Sequence, residues 1–273
     1  MTFTTRALGD GDRQEAVRVE EAAAPGYPYL NDAWDYFLRQ TEGDLTGVFL
    51  DEKLVGVGKL TRLFHDYGWL ETLRVDPQYQ GQGAGKAIYA AYLKEASERG
   101  LRALGMYTGS KNVISRHLAE KNGLALAGTF DEYVLPAKDV IPHHHFQQVE
   151  VAQAEAILSP HYKDMGGFVS LNQTYYPAKE GLGACMAANG WLYQSDKGDL
   201  IIVGARFQPE RGLHVAFVSN DTKSAIDFAL SLAKAKGSVN LQAMRVEGRD
   251  CGDLLDCGFE KSPRQLITLW GAV

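Results

Sequence analysis

Three cysteines stand among 273 residues, an odd number with no CxxC spacing, which leaves no basis for a disulfide framework or a cysteine-rich zinc site. Cys185, Cys251 and Cys257 therefore read as buried reduced thiols. Long apolar runs are missing too, and none approaches the ~20 residues that a bilayer-crossing helix requires. Residues Met1 to Glu21 are polar and acidic, without the basic stretch, apolar core and small-residue cleavage site of a secretory leader. A cytoplasmic protein with no membrane partner is expected. Positive charge is in deficit, with 28 Lys and Arg against 34 Asp and Glu, a net charge of -6. Nucleic-acid binding relies on clustered cations that neutralise phosphates, so nucleic acid is not an expected partner. An acidic balance tolerates a cationic, amine-bearing substrate, whether a small molecule or a peptide, and leaves association into a homodimer open.

The length is comfortable for two domains. In the first half, Thr2 to Leu8 reads as a strand and Asp10 to Ala23 as a helix. Pro25-Gly26-Tyr27-Pro28 breaks the chain, and Asn31 can cap a helix running to about Gln40. Tyr27, Tyr29, Trp34 and Tyr36 cluster there, either as core packing or as the lining of a substrate pocket. Leu45 to Leu50 and Leu54 to Leu63 form a hairpin, and Trp69 to Val75 adds a strand that stops at Asp76-Pro77. An amphipathic helix over Lys86 to Arg99 follows, with Ile88, Tyr89, Tyr92, Leu93 and Ala96 on one face. A strand at Ala103 to Tyr107, a helix from Asn112 to Lys121 and a strand at Leu126 to Val134 complete the half. Pro136 to Phe146 is the expected linker. Its tract His143-His144-His145 can bind transition metals, but three adjacent residues cannot all face one ion, so it reads as solvated linker and no metal is assigned. In the second half, Gly183 to Tyr193, Leu200 to Phe207 and Leu213 to Val218 read as strands and Thr222 to Lys236 as a helix. The spacing from Gly237 to Gly258 resembles that from Gly100 to Gly123, which suggests duplication of one fold. The domains are placed at residues 1–138 and 146–273.

The chemistry concentrates in Leu73-Arg74-Val75-Asp76-Pro77-Gln78-Tyr79-Gln80-Gly81-Gln82-Gly83-Ala84-Gly85-Lys86. A strand, a proline stop, a glycine-rich turn and a helix start are the parts of an anion cradle. Glycines turn backbone N–H groups inward, and the helix N-terminus adds partial positive charge. A dinucleotide fingerprint would need a parallel βαβ unit, whereas antiparallel strands precede this turn. A nucleoside-triphosphate loop would need Gly where Gln80 stands, and Ser or Thr where Ala87 stands.

The segment resembles the GNAT acyltransferase superfamily, whose signature Q/R-x-x-G-x-G/A is matched by Gln80 to Gly85 after Val75-Asp76-Pro77. The resemblance covers residues 2 to 135. It implies an α/β fold, a mixed and mostly antiparallel twisted sheet flanked by helices, with a degenerate tandem copy in the second half. It also implies an N-acetyltransferase that passes the acetyl group of acetyl-CoA to an amine by direct attack in a ternary complex. Gln80, Gly81, Gln82, Gly83, Ala84, Gly85 and Lys86 would hold the CoA pyrophosphate, Leu73 and Val75 would offer backbone groups to pantetheine and acyl carbonyl, and Asn112 would touch the CoA arm. Glu71 is the expected general base, at the acidic position many such strands carry and, by the two-residue period, on the face of Leu73. Its other readings are a solvated side chain or a partner of Arg74 or Arg62. The tyrosine that commonly protonates the thiolate falls at Ala119, with His117 and Tyr133 nearby in sequence. At the equivalent junction of the second half, Ser219 to Ser224 has no glycine and includes Asp221. An alternative reading is a non-catalytic acyl-CoA-binding or sensing protein on the same scaffold.

Overall fold

A computed structural model describes residues 2–26, 29–140 and 146–273. Tyr27, Pro28 and the histidine tract fall outside the described residues. The chain forms two compact units. In each, a mixed and mostly antiparallel sheet is flanked by helices, the fold class that the sequence led us to expect.

The first unit contains the residues up to Met106, Asn112–Leu126 and Leu269–Val273. Its elements are β1 (Thr4–Ala7), α1 (Arg13–Ala23), α2 (Leu30–Arg39), β2 (Leu45–Leu50), β3 (Lys53–Phe64), β4 (Tyr67–Val75), α3 (Ala84–Glu98), the start of β5 (Ala103–Gly109) and α4 (Val113–Lys121). Strands β1 to β4 pair antiparallel in sequence order, and β5 joins β4 in parallel. Asp51 and Glu52 both take positive φ, the twist that a two-residue hairpin turn needs between β2 and β3. Leu30, Ala33, Trp34 and Phe37 of α2 are buried against Val19, Leu45 and Val57, each large side chain contributing roughly 1.5–3 kcal/mol.

Asn31 does not cap α2. It lies inside the first turn, where its Oδ1 accepts from Arg13 Nε at 3.1 Å. The fully buried Glu20 does the capping from α1. Its Oε2 accepts the N–H groups of Tyr29 at 3.1 Å and Leu30 at 2.8 Å, donors that an α-helix leaves without internal partners. Burial raises the Glu20 pKa, while those two bonds and the charge of Arg74 oppose the rise. Helix α3 buries Ile88, Tyr89, Tyr92 and Ala96. A Cβ at Gly58 of β3 would lie 2.1 Å from the Tyr92 hydroxyl, so the helix sits where only glycine leaves room.

The second unit contains Tyr107–Lys111 and Ala127–Thr268. Its elements are β6 (Ala125–Pro136), β7 (Phe146–Gln148), α5 (Val151–Leu158), β8 (Phe168–Leu171), β9 (Thr174–Pro177), α6 (Leu182–Ala188), β10 (Leu192–Ser195), β11 (Leu200–Gly204), β12 (Leu213–Val218), α7 (Thr222–Ala235), β13 (Asn240–Val246), α8 (Gly252–Asp256) and β14 (Glu260–Ala272). Strand β6 pairs antiparallel with β13 over seven positions, and β12 pairs with β13 in parallel. Ala225, Ile226, Ala229, Leu230 and Ala233 of α7 close the core, matching the stripe read from sequence.

The structure corrects several expectations. Gly183 to Tyr193 is not one strand, because left-handed Gly181 opens α6 and the alanine-rich run that follows favours helix. Each compact unit takes in segments from both halves of the chain. Strand β6 lies in the second unit from Ala127, and the final residues Leu269–Val273 lie in the first. There Trp270 packs with Trp69 and Tyr67 at ring separations of 5.9 and 6.0 Å. Of the three thiols, only Cys251 is buried, with Cys185 and Cys257 partly exposed.

Candidate active site

The two parallel strands of the first unit part company at a definite place. Their pairing runs from Tyr67 with Ala103 to Leu70 with Met106 and stops. Beyond it β4 carries a bulge. Glu71 pairs with Lys59 and Arg74 with Val57, so Thr72 and Leu73 together face the single residue Gly58. Thr72 takes φ +61°, which for a buried, β-branched residue is a strained conformation. Its Oγ1 lies 2.6 Å from the Tyr29 hydroxyl. The bulge resets the alternation of the strand, so the two-residue period does not put Glu71 and Leu73 on one face. The side chain of Glu71 is instead buried, and its Oε1 accepts from Thr61 Oγ1 at 2.7 Å. Its backbone carbonyl accepts from Tyr92 at 3.2 Å. Arg62 meets Glu42 at 3.2 Å, and Arg74 donates to the Leu73 carbonyl at 3.1 Å.

The end of β4 is held from both sides. The Val75 carbonyl accepts from Gln80 Nε2 at 3.0 Å. Asp76, buried, pairs with Arg18 of α1 at 2.8 Å and accepts from the Gln78 N–H at 3.0 Å. Burial alone would raise the Asp76 pKa, but Arg18, the Gln78 N–H and Lys53 outweigh it and the pKa is lowered.

The glycine turn follows. Gly81 takes φ +73° and Gly83 φ +108°, conformations open to glycine at little cost. Helix α3 starts at Ala84 with no side-chain cap and no acidic residue in its first turn, and Lys86 is exposed there. Space is also present, because a Cβ at Gly81 would meet nothing within 4 Å and one at Gly83 only Phe3 at 3.6 Å. An uncapped helix start with inward-turning glycines and an exposed lysine fits an anionic pyrophosphate. Gln82 Nε2 donates back to the Gln78 carbonyl at 2.7 Å. Asn112 caps α4, its Oδ1 accepting from the Ser115 N–H at 3.1 Å, and the exposed Val113 and Ile114 follow it. Ala119 is fully buried and His117 is exposed. Tyr133 belongs to the second unit, where a bond with Cys251 and then burial push its pKa up to about 12. Sequence reasoning missed Glu20 and the Tyr29–Thr72 pair, because a threonine in left-handed backbone leaves no trace in residue pattern.

The second unit has its own parting strands. Parallel pairing of β12 and β13 ends after Leu213 with Leu241 and His214 with Gln242. Arg245 then fills the gap, donating to the carbonyls of Val215 at 3.4 Å and Met244 at 3.2 Å. A cavity of about 270 Å³ remains, lined in part by Phe130, Phe168, Phe217, Arg245, Asp250 and Asp253. Helix α7 is capped by Asp221, which accepts from the Ser224 N–H at 3.0 Å.

A strand pair that parts beside a glycine-turned, uncapped helix start has the chemistry to receive an anion, and it stands on a mixed α/β sheet. Residues 13–124 match the model of the acetyltransferase (GNAT) family. A mycothiol acetyltransferase of Cellulomonas flavigena is 37% identical over 60 residues, which are 22% of this chain and 17% of that relative. A GCN5-related N-acetyltransferase from Sphaerobacter thermophilus matches 99% of this chain and 95% of its own at a TM-score of 0.68 and 10% identity. A putative acetyltransferase from Thermoplasma acidophilum matches all of both chains at a TM-score of 0.62 and 12% identity. At such identities the two structures show a shared fold across the whole chain. Among the described residues, no group of three or more His, Cys, Asp or Glu is placed to hold a metal, and no helix is long and apolar enough to cross a membrane.

Proposed function

We propose that the chain is an acyl-CoA-dependent N-acetyltransferase that moves the acetyl group of acetyl-CoA directly onto an amine in a ternary complex. The observation that carries this reading is the uncapped start of α3 behind Gly81 and Gly83, at the end of the strand that has left its partner. Acetyl-CoA, when bound, supplies the activated thioester. The N–H groups at Gly83, Ala84 and Gly85 hold pyrophosphate, and Lys86 adds a formal charge. The backbone of Leu73 and Val75, beyond the last parallel pair, orients pantetheine and polarises the acyl carbonyl. Glu71 takes the proton of the amine, an assistance typically worth ~10²- to 10⁴-fold. The transfer is direct, with no covalent enzyme intermediate. The second unit is read as a degenerate copy that does not hold the cofactor.

A second reading, an acyl-CoA binder without turnover, is favoured by one observation, the fully buried Ala119 where an acid would otherwise stand. Calorimetric titration with acetyl-CoA followed by thiol release in the presence of a panel of primary amines tests both. Binding with amine-dependent release supports the enzyme. Binding with no release from any amine supports the binder, and no binding by folded protein removes both.

A further inference from the structure

Tyr29 is held at both ends. Its N–H donates to Glu20 at 3.1 Å and its hydroxyl lies 2.6 Å from Thr72 Oγ1. Its ring lies 5.9 Å from the guanidinium carbon of Arg74, whose own NH1 donates to the Leu73 carbonyl at 3.1 Å. Tyr29 thus reaches the bulge of β4 at two places, at Thr72 directly and at Leu73 through Arg74. Those residues sit just beyond the last parallel pair, where among the described residues no strand pairs with β4 on that side.

A non-glycine residue at φ +61° persists only when its surroundings over-determine it. Thr72 has no glycine's freedom, and its β-branch makes the left-handed region costlier still. What holds it from the helical side is the phenol of Tyr29, itself fixed through the Glu20 cap at the start of α2. A hydroxyl pair at 2.6 Å is short and well within hydrogen-bonding range. The strained step and its clamp come from segments 43 residues apart, joined at the strand that carries Leu73 and Val75.

We propose that Tyr29 is a positioning residue for acyl recognition: through Thr72 it fixes the left-handed step of β4, so that the Leu73 and Val75 backbone meets the acyl group in one geometry. This rests on the acyl-CoA reading above. The clamp acts on the acyl end of the ligand and leaves the pyrophosphate seat at Gly81 and Gly83 untouched, so its loss separates acetyl-CoA from free CoA.

The test is calorimetric titration of acetyl-CoA and of CoA into wild type, Tyr29→Phe, Thr72→Val and Thr72→Ser, with melting temperatures recorded alongside. Tyr29→Phe keeps the ring and removes only the hydroxyl. Loss of that bond is expected to weaken acetyl-CoA by about fivefold while CoA changes less than about twofold. Thr72→Val behaves alike, Thr72→Ser retains wild-type selectivity, and the double variant Tyr29→Phe, Thr72→Val is no worse than either single. Equal weakening of both ligands, a fall in melting temperature with unchanged selectivity, or wild-type behaviour of Tyr29→Phe overturns the proposal while leaving the acyl-CoA reading intact. Failure of wild type to bind either ligand removes that reading instead. Should Tyr29→Phe fail to fold, the contrast between Thr72→Val and Thr72→Ser decides alone.

Discussion

The strand pairs β4–β5 and β12–β13 both run parallel for a few residues and then part, yet the two gaps are finished by opposite means. In the first unit β4 bulges at Thr72 and leads to an uncapped, glycine-turned helix start. In the second, the guanidinium of Arg245 donates to the Val215 carbonyl, and the following helix is already capped by Asp221. The same local topology can therefore lead into a helix start without a side-chain cap or into one already capped. The lesson concerns which residues stand at the gap, since the topology is common to both.

That contrast can be broken by exchanging its key residues. The largest effect is expected from Gly83→Asp, which forces a side chain into φ +108° and puts negative charge at the start of α3. Acetyl-CoA affinity should fall roughly a hundredfold or more, measured by calorimetry. The counterpart change, Asp221→Ala, should leave acetyl-CoA affinity unchanged and cost about 1 kcal/mol of stability in urea titration. A loss of affinity there would show that the second unit shares in binding.

Next in size is Gly105→Ala. A Cβ there would lie 2.2 Å from the Trp270 ring, the residue through which the end of β14 packs in the first unit. A destabilisation of about 2 kcal/mol is expected from denaturant titration, because the bulky ring and strand must both shift.

The effects of pH sharpen the comparison. Burial, with the charge of Arg264, lowers the His214 pKa from 6.5 to about 4 in the second unit. Below pH 6.5 the unfolded chain takes up a proton that the folded chain refuses until about pH 4. Stability is therefore lost progressively across that interval, and His214→Gln should flatten the slope. Asp76 of the first unit acts lower, because its pKa is lowered from 3.8. Its contribution is present above 3.8 and is lost as pH falls through the folded value. Asp76→Asn should thus reduce stability at pH 7 and remove that acid limb, as followed by thermal unfolding across pH.

Much of this was legible before any coordinates, and the reasons differ element by element. The β2–β3 hairpin announced itself through alternation around Asp51 and Glu52, and α3 through its stripe from Ile88 to Ala96, because each is a local pattern. The glycine turn was legible because Gly81 and Gly83 are needed for their backbone freedom. Thr72 was not, since left-handed threonine is imposed by partners distant in sequence, among them Tyr29. Nor was the capping of α2, where Asn31 carries the ordinary cap signal but Glu20 of α1 reaches the N–H groups first. The division into units was hidden for the same reason, because β6 is claimed by β13 over seven pairs and Trp270 by Trp69. What pattern cannot carry is the pairing of segments a hundred or more residues apart.

The most direct test of the account is a calorimetric titration of acetyl-CoA into the whole wild-type chain, read for stoichiometry. A single site per chain, lost in Gly83→Asp and retained in Asp221→Ala, is the expected result. Two sites, or one that survives Gly83→Asp, would contradict the assignment of the cofactor to the first unit, and absence of binding would contradict the acyltransferase reading itself.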